Sequence, residues 1–180
     1  MTVLGIVGLP GSGKSEAAAV ADELGIPVVT MGDVIREACR ERGLDPASHH
    51  GEVAQALRNE GGKAAIAERS IPMIEDALRA YDTVLVDGIR SDAEVDRFVE
   101  AFGDDFTLVR VEAPFEVRAE RIDARGRDDT AAESLRDRDE RELGFGMGEA
   151  MARADVVVEN TDSLETFQER VRAILTGEDG

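Results

Sequence analysis

The chain has 180 residues, 42% of them hydrophobic and 33% charged, a composition that can bury one well-packed unit and excludes a disordered or fibrous chain. Its 39 acidic and 21 basic side chains give a formal net charge of −18, which excludes a broad basic face for DNA or RNA and leaves only a local basic pocket for a small polyanion. The single Cys39 rules out an internal disulfide, and no apolar run reaches membrane-spanning length and no secretory leader is visible, so a soluble cytoplasmic protein is expected.

Lys14 and Lys63 are the only lysines, and every other base is arginine. Such an acidic, alanine-rich surface resembles those of extreme halophiles, whose carboxylates stay hydrated in concentrated salt. Cys39, beside Ile35, Ala38 and Arg40, suits a helical core thiol better than a nucleophile.

The apolar run Val3-Leu4-Gly5-Ile6-Val7 predicts a buried strand, and Glu16 to Ala21 a helix. Between them Gly8-Leu9-Pro10-Gly11-Ser12-Gly13-Lys14-Ser15 carries the GxxxxGK(S/T) spacing of a phosphate cradle in the context that cradle needs. Gly8, Gly11 and Gly13 let the main chain curl with its N–H groups inward, and the helix opening at Lys14 adds unpaired donors and the positive end of its dipole. The segment from Gly8 through Pro10, Ser12 and Ser15 to Glu16 is therefore the expected grip on a nucleoside triphosphate, ATP or GTP. Lys14 is expected on the β- and γ-phosphates, and the Ser15 hydroxyl on Mg²⁺.

Gly25 ends the first helix, and Ile26 to Met31 predicts a second strand. A helix follows from about Val34 to Arg42, closed by Gly43. Asp33 either caps that helix or faces an acceptor, and Arg36 lies one turn on along the same face. Residues 44–81 carry no strand signal, only helical spacing broken at Gly61-Gly62 with a possible kink at Pro72. Together with Asp33 and Arg36 they predict a helical insertion of about residues 33–81, suited to an acceptor. Arg58, Lys63 and Arg69 lie within it without a spacing that assigns them a role, and His49-His50 lacks a second ligand pair and reads as a loop pair.

The third strand, Thr83 to Val86, ends in Asp87-Gly88-Ile89-Arg90. Asp87 is placed to hold Mg²⁺ through water or to orient an acceptor hydroxyl, and Arg90 to fork a phosphate. A helix over about 92–102 and a strand over Phe106 to Val111 come next. A helix from near Pro114 then carries Arg118 and Arg121 to the break at Arg125-Gly126-Arg127. Arg118, Arg121 and Arg125 fall at i, i+3 and i+7 and share one side. They read as a short lid of about residues 121–138 that closes over a moving phosphoryl group, or as an exposed helix paired with Glu116, Glu120, Asp123 and Asp128. In the next predicted helix, about 131–143, Arg136, Arg138 and Arg141 alternate with acids and read as a salt-bridged surface, with Arg138 the one to test. Gly144, Gly146 and Gly148 predict a loop, Asp155 to Glu159 a fifth strand, and Ser163 the cap of a helix to about Leu175. Strands separated by helices imply an α/β architecture, a parallel sheet covered on both faces, with ligands beyond the carboxyl ends of its strands.

With these motifs in place the chain resembles the P-loop nucleotide kinases. Thr30-Met31-Gly32-Asp33-Val34-Ile35-Arg36 is similar to the acceptor-side segment of adenylate kinases, which implies Asp33 and Arg36 flanking the acceptor phosphate. Val86-Asp87-Gly88-Ile89-Arg90 is similar to their strand-end segment with an aspartate near Mg²⁺ and a phosphate-binding arginine, one residue shorter between glycine and arginine. Arg121-Ile122-Asp123-Ala124-Arg125 resembles the start of their lid, here short and without zinc cysteines, which implies Arg121 and Arg125, with Arg127 beyond, directed at the ATP phosphates. Ala154 to Thr161 resembles the closing strand and loop of dephospho-coenzyme A kinases, which implies Asn160 near the adenine ring.

Over essentially its whole length the chain is similar to an archaeal group of adenylate-kinase-like proteins. That resemblance implies a three-layer P-loop NTPase fold, residues 1–180 as one domain, and a five-stranded parallel sheet in the order 2-3-1-4-5. It also implies ATP and Mg²⁺ as cofactors and transfer of the γ-phosphoryl group to a small phosphorylated acceptor, with a nucleoside monophosphate foremost. A kinase of dephospho-coenzyme A or another small metabolite, and a slow ATPase acting as a switch or assembly factor, stay open beside it. The glutamine that reads the acceptor base in adenylate kinases has no clear counterpart after Arg90. No nucleic acid or membrane partner is expected, and oligomeric state is left open.

Overall fold

The structure, a computed structural model, describes residues 1–124 and 134–178. Its sheet is buried on both faces because successive apolar residues point to opposite sides. In β1 (Thr2–Val7) Val3 and Val7 join one core and Leu4 and Ile6 the other. In β3 (Thr83–Asp87) Val84 and Val86 oppose Leu85, and in β4 (Phe106–Glu112) Phe106 and Leu108 oppose Val109 and Val111. With β2 (Val28–Thr30) and β5 (Val156–Glu159) these form one sheet in the order β2-β3-β1-β4-β5, every pairing parallel, as the resemblance implied. The register aligns Thr30 with Asp87 and Val7 with Arg110, so the strands end together along one edge.

The helices in chain order are α1 (Lys14–Glu23), α2 (Met31–Glu41), α3 (Pro46–Gly61), α4 (Ala65–Leu78), α5 (Asp92–Phe102), α6 (Phe115–Ala124), α7 (Leu135–Gly144), α8 (Met147–Ala152) and α9 (Leu164–Thr176). α1 and α9 cover the Leu4 and Ile6 face through Ala17, Val20, Phe167 and Val171. α2 to α5 and α8 build the larger core on the other face, where Phe98 stacks on Phe106 with ring centroids 5.7 Å apart.

Three elements depart from expectation. β2 is confined to Val28–Thr30 rather than 26–31, although the Pro27 carbonyl still accepts from Leu85 N at 3.0 Å. The following helix starts at Met31, not near Val34, so Asp33 lies inside its first turn and pairs with Arg36 instead of capping it. An acidic residue there still complements the helix dipole. The glycines at 144, 146 and 148 do not form a loop throughout: Gly146, at φ +104°, starts α8, and Gly148 lies within that helix.

The stretch between β2 and β3 is helical as read. Asp45 caps α3 by accepting from Ala47 N at 3.1 Å, with Pro46 in its first turn, and α3 ends at Gly61, before Gly62 at φ +88°. His49 and His50 belong to α3, not to a loop. α7 begins after a capping box of Ser134 and Asp137; positions 131–133, where its start was expected, lie outside the described residues.

Candidate active site

Strand β1 stops at Val7 and α1 starts at Lys14, which leaves the glycine-rich segment at the carboxyl edge of the sheet. Two of its glycines are required for different reasons. Gly13 has φ +120°, and a Cβ there would stand 2.4 Å from Asn160 Nδ2. Gly8 has no such torsion, but a Cβ would stand 2.6 Å from the Val111 carbonyl oxygen.

Asn160 braces the loop from behind. It is 5% exposed, its Nδ2 donates to Ser12 O at 2.8 Å, and its own N–H donates to Glu112 O at 2.8 Å. Lys14 Nζ donates to Gly8 O at 2.5 Å and Leu9 O at 3.3 Å. Burial lowers the Lys14 pKa, the Asp87 and Glu142 carboxylates push it back up, and Arg90 and Arg118 lower it further. Over the amino end of α1, Pro10, Gly11, Gly13, Lys14 and Ser15 line a recess of about 190 Å³ with Ile122 and Arg138.

From Pro10 and Lys14 a cleft of about 590 Å³ runs past Asp87 and Arg90 to Arg36 and Arg58, and α7 closes its far wall with Arg138, Arg141 and Glu142. Arg36 pairs with Asp33, which is exposed and does not line the cleft. Glu142, 7% exposed, holds Arg90 with Oε1 to Nη1 at 3.3 Å. The guanidinium carbons of Arg58 and Arg90 lie 5.2 and 5.8 Å from the Phe145 ring centroid. Behind them Glu94 is 1% exposed and accepts from Arg90 N at 2.7 Å, and burial raises its pKa.

The expected site residues therefore separate into groups. Pro10, Lys14, Arg36, Asp87 and Arg90 share the cleft, and Pro10, Gly11, Gly13, Lys14 and Ser15 share the recess. Gly8, Ser12 and Asn160 form the support behind the loop, and Glu16 sits partly buried in the first turn of α1. Arg121 reaches Asn160, donating from Nη2 to its carbonyl at 2.5 Å and to Oδ1 at 3.2 Å. Arg125 and Arg127 lie outside the described residues.

Arg118 is not part of a lid face. It is 4% exposed and makes a two-pronged pair with Asp139 of α7 at 2.8 Å on each arm, while Nη1 also donates to Pro10 O at 3.1 Å and Nε to Ala113 O at 3.1 Å. Arg138 and Arg141 line the cleft, where an outer surface was expected. The sequence reading missed Glu142 and Phe145. Their signal was spacing: 138, 141, 142 and 145 fall at i, i+3, i+4 and i+7, one stripe of a helix read only for its alternating charges.

Oxygen donors fit a hard cation here. Ser15 supplies a hydroxyl and Asp87 a carboxylate, and no cluster of three His, Cys, Asp or Glu exists among the described residues. Mg²⁺ takes few protein ligands where phosphates complete its shell. Among the described residues no helix is long and apolar enough to cross a membrane.

Comparison with known proteins bears on the family and the fold. The AAA domain family matches residues 7–136. A UPF0200 protein of Halobacterium salinarum is 61% identical over 99% of this chain and 94% of its own length. Among solved structures, TT1252 from Thermus thermophilus has a TM-score of 0.64 at 22% identity, covering 99% of this chain and 98% of its own. A shikimate kinase from Bacteroides thetaiotaomicron has a TM-score of 0.59 at 15% identity, covering 97% and 98%. At such identities the likeness is one of fold, the layered parallel sheet of P-loop kinases.

Proposed function

Since the chain belongs to the archaeal UPF0200 family and to the AAA domain family of P-loop proteins, we propose that it is an ATP- and Mg²⁺-dependent phosphotransferase acting on a small phosphorylated acceptor. One observation carries the reading: the phosphate loop and the cations Arg36 and Arg90 open into the same 590 Å³ cleft, so donor and acceptor phosphates would meet inside it.

Main-chain N–H groups of Gly11 to Ser15 and the Lys14 ammonium would hold the β- and γ-phosphates. An acceptor phosphate oxygen held by Arg36 and Arg90 would attack the γ-phosphorus as the bond to the ADP oxygen breaks, and the electron pair would leave with ADP. Arg138 of α7, and Arg121, Arg125 and Arg127 around the lid, would neutralise charge spread over the moving phosphoryl oxygens. Mg²⁺, held by the Ser15 hydroxyl and through water by Asp87, would neutralise the phosphates. Positioning and charge supply the rate, and no covalent intermediate is needed.

Nucleoside monophosphates are the first acceptors to assay. A second reading, with an alcohol of a small metabolite as acceptor, draws on the carboxylates Asp87 and Glu142 beside Lys14, since a hydroxyl must give up a proton as it attacks. A screen with radiolabelled ATP over nucleotides, dephospho-coenzyme A and sugars in molar potassium chloride separates the two. Lys14→Ala is expected to cut turnover by about 10²- to 10³-fold with an unchanged circular dichroism spectrum. Phosphate release that ignores every acceptor would favour an ATP-driven switch instead.

A further inference from the structure

A second cavity of about 310 Å³ adjoins the cleft, and Gln55, Arg58, Arg90, Glu94 and Phe145 wall both. The lining that is its own is mostly polar, with Asn59, Lys63 and Ser91 beside Gly144. In a chain with 39 acidic and 21 basic residues, this one cavity gathers three cations against one carboxylate, and one of the three is one of only two lysines.

That carboxylate is already engaged. Glu94 accepts the Arg90 N–H at 2.7 Å, while the Ser91 hydroxyl accepts Glu94 N at 3.3 Å as the cap of α5. Of the three cations, Arg90 is already paired with Glu142 at 3.3 Å. Among the described residues neither the Arg58 guanidinium nor the Lys63 ammonium makes a hydrogen bond or ion pair. Arg58 is partly buried and shares the Phe145 ring with Arg90, so two like charges sit together with their hydration reduced. An anion placed beside them relieves both costs. Gln55 Nε2 donates to Asn59 Oδ1 at 2.9 Å, which leaves the Asn59 amide N–H₂ as another donor at the rim.

We propose that this side cavity binds a second anionic group, a phosphate or carboxylate, carried by the acceptor at the end remote from the oxygen that receives the phosphoryl group. The proposal rests on the phosphotransferase reading above and narrows its acceptor to a molecule with two anionic ends, such as a nucleoside monophosphate bearing a second phosphate on its sugar. Arg58 and Lys63 grip the remote anion, and Arg90 stands between the two groups.

Titration of the ¹⁵N-labelled full chain with inorganic phosphate at constant potassium chloride tests the site. Two saturable sets of amide shifts are expected, one at Gly11 to Ser15 and one at Asn59, Lys63 and Gly144. Lys63→Gln should weaken the second set roughly tenfold, the loss of one hydrogen bond to a charged group, while the first set persists and shows that the variant is folded. A silent side cavity, or a second set indifferent to Lys63→Gln, overturns the proposal. Silence at Gly11 to Ser15 counts against the phosphotransferase reading instead.

Adenosine 5′-monophosphate and adenosine 3′,5′-bisphosphate then separate an acceptor group from a free anion. Lys63→Gln should weaken the bisphosphate roughly tenfold and the monophosphate less than twofold. Equal loss, or none for either, assigns the cavity to a free anion and overturns its link to the acceptor.

Discussion

Arg90 belongs to three environments at once. Its main-chain N–H caps toward Glu94, its guanidinium pairs with Glu142, and the same group lies over Phe145. An acceptor phosphate would replace Glu142 on that guanidinium, exchanging one charged partner for another with more oxygens. Arg90→Ala is therefore expected to raise the acceptor KM roughly 10- to 100-fold and the ATP KM far less; equal changes in both would remove Arg90 from the acceptor side. Glu94 carries a different signature. Burial holds its pKa above the ordinary 4.5, so the folded chain keeps a proton that the unfolded chain has lost. Its contribution to stability is complete below pH 4.5 and is lost as pH rises through the raised value. The difference in unfolding free energy between the wild type and Glu94→Gln, from urea titrations, should decline across that window and then level. A difference constant with pH would mean that the carboxyl titrates normally.

At the scale of elements, the contact that matters most joins α6 to α7 across the phosphate loop. Arg118 on α6 meets Asp139 on α7 in a pair with side-chain exposures of 5% and 14%, and the same guanidinium holds the Pro10 carbonyl. α7 in turn presents Arg138, Arg141 and Glu142 to the cleft. One buried ion pair thus fixes where three cleft residues stand relative to the loop. Arg118→Met leaves Asp139 without its partner in a desolvated site, at a cost of roughly 3–5 kcal/mol. For a chain of this length the melting temperature should fall by roughly 10 °C. Differential scanning calorimetry checks this, and a variant that melts with the wild type would deny the pair its role. The Arg118 spacing, i, i+3 and i+7 with Arg121 and Arg125, suggested a common lid face. The structure buries Arg118 because its guanidinium is enclosed by the Ala113 and Pro10 carbonyls and the Asp139 carboxylate, and sequence spacing within one helix carries no information about such distant partners.

The whole molecule carries its charge of −18 mostly as exposed carboxylates, several paired with arginines at the surface, as in Arg42 with Glu60 and Arg172 with Glu23. Such exposed pairs contribute little each. Repulsion among the remaining carboxylates acts over a Debye length of about 10 Å at 0.1 M salt and about 3 Å at 1 M. The melting temperature should therefore climb by several degrees between 0.1 and 2 M potassium chloride, and a flat or falling curve would contradict an acidic surface adapted to salt.

What the sequence determined by itself was local or periodic. Apolar runs gave the strands, Gly8 to Ser15 gave the phosphate loop, and the charged strand ends Asp87 and Arg90 pointed to the cleft they now line. Each of those signals is carried by neighbours in the chain. The tertiary structure decided that Asn160 braces Ser12 across 148 positions, that Arg118 is a pin instead of a lid arginine, and that Glu142 and Phe145 enter the cleft beside Arg58 and Arg90. Their roles come from contacts between segments far apart in the chain, and packing between distant segments is fixed by burial and shape, which no single stretch of residues encodes.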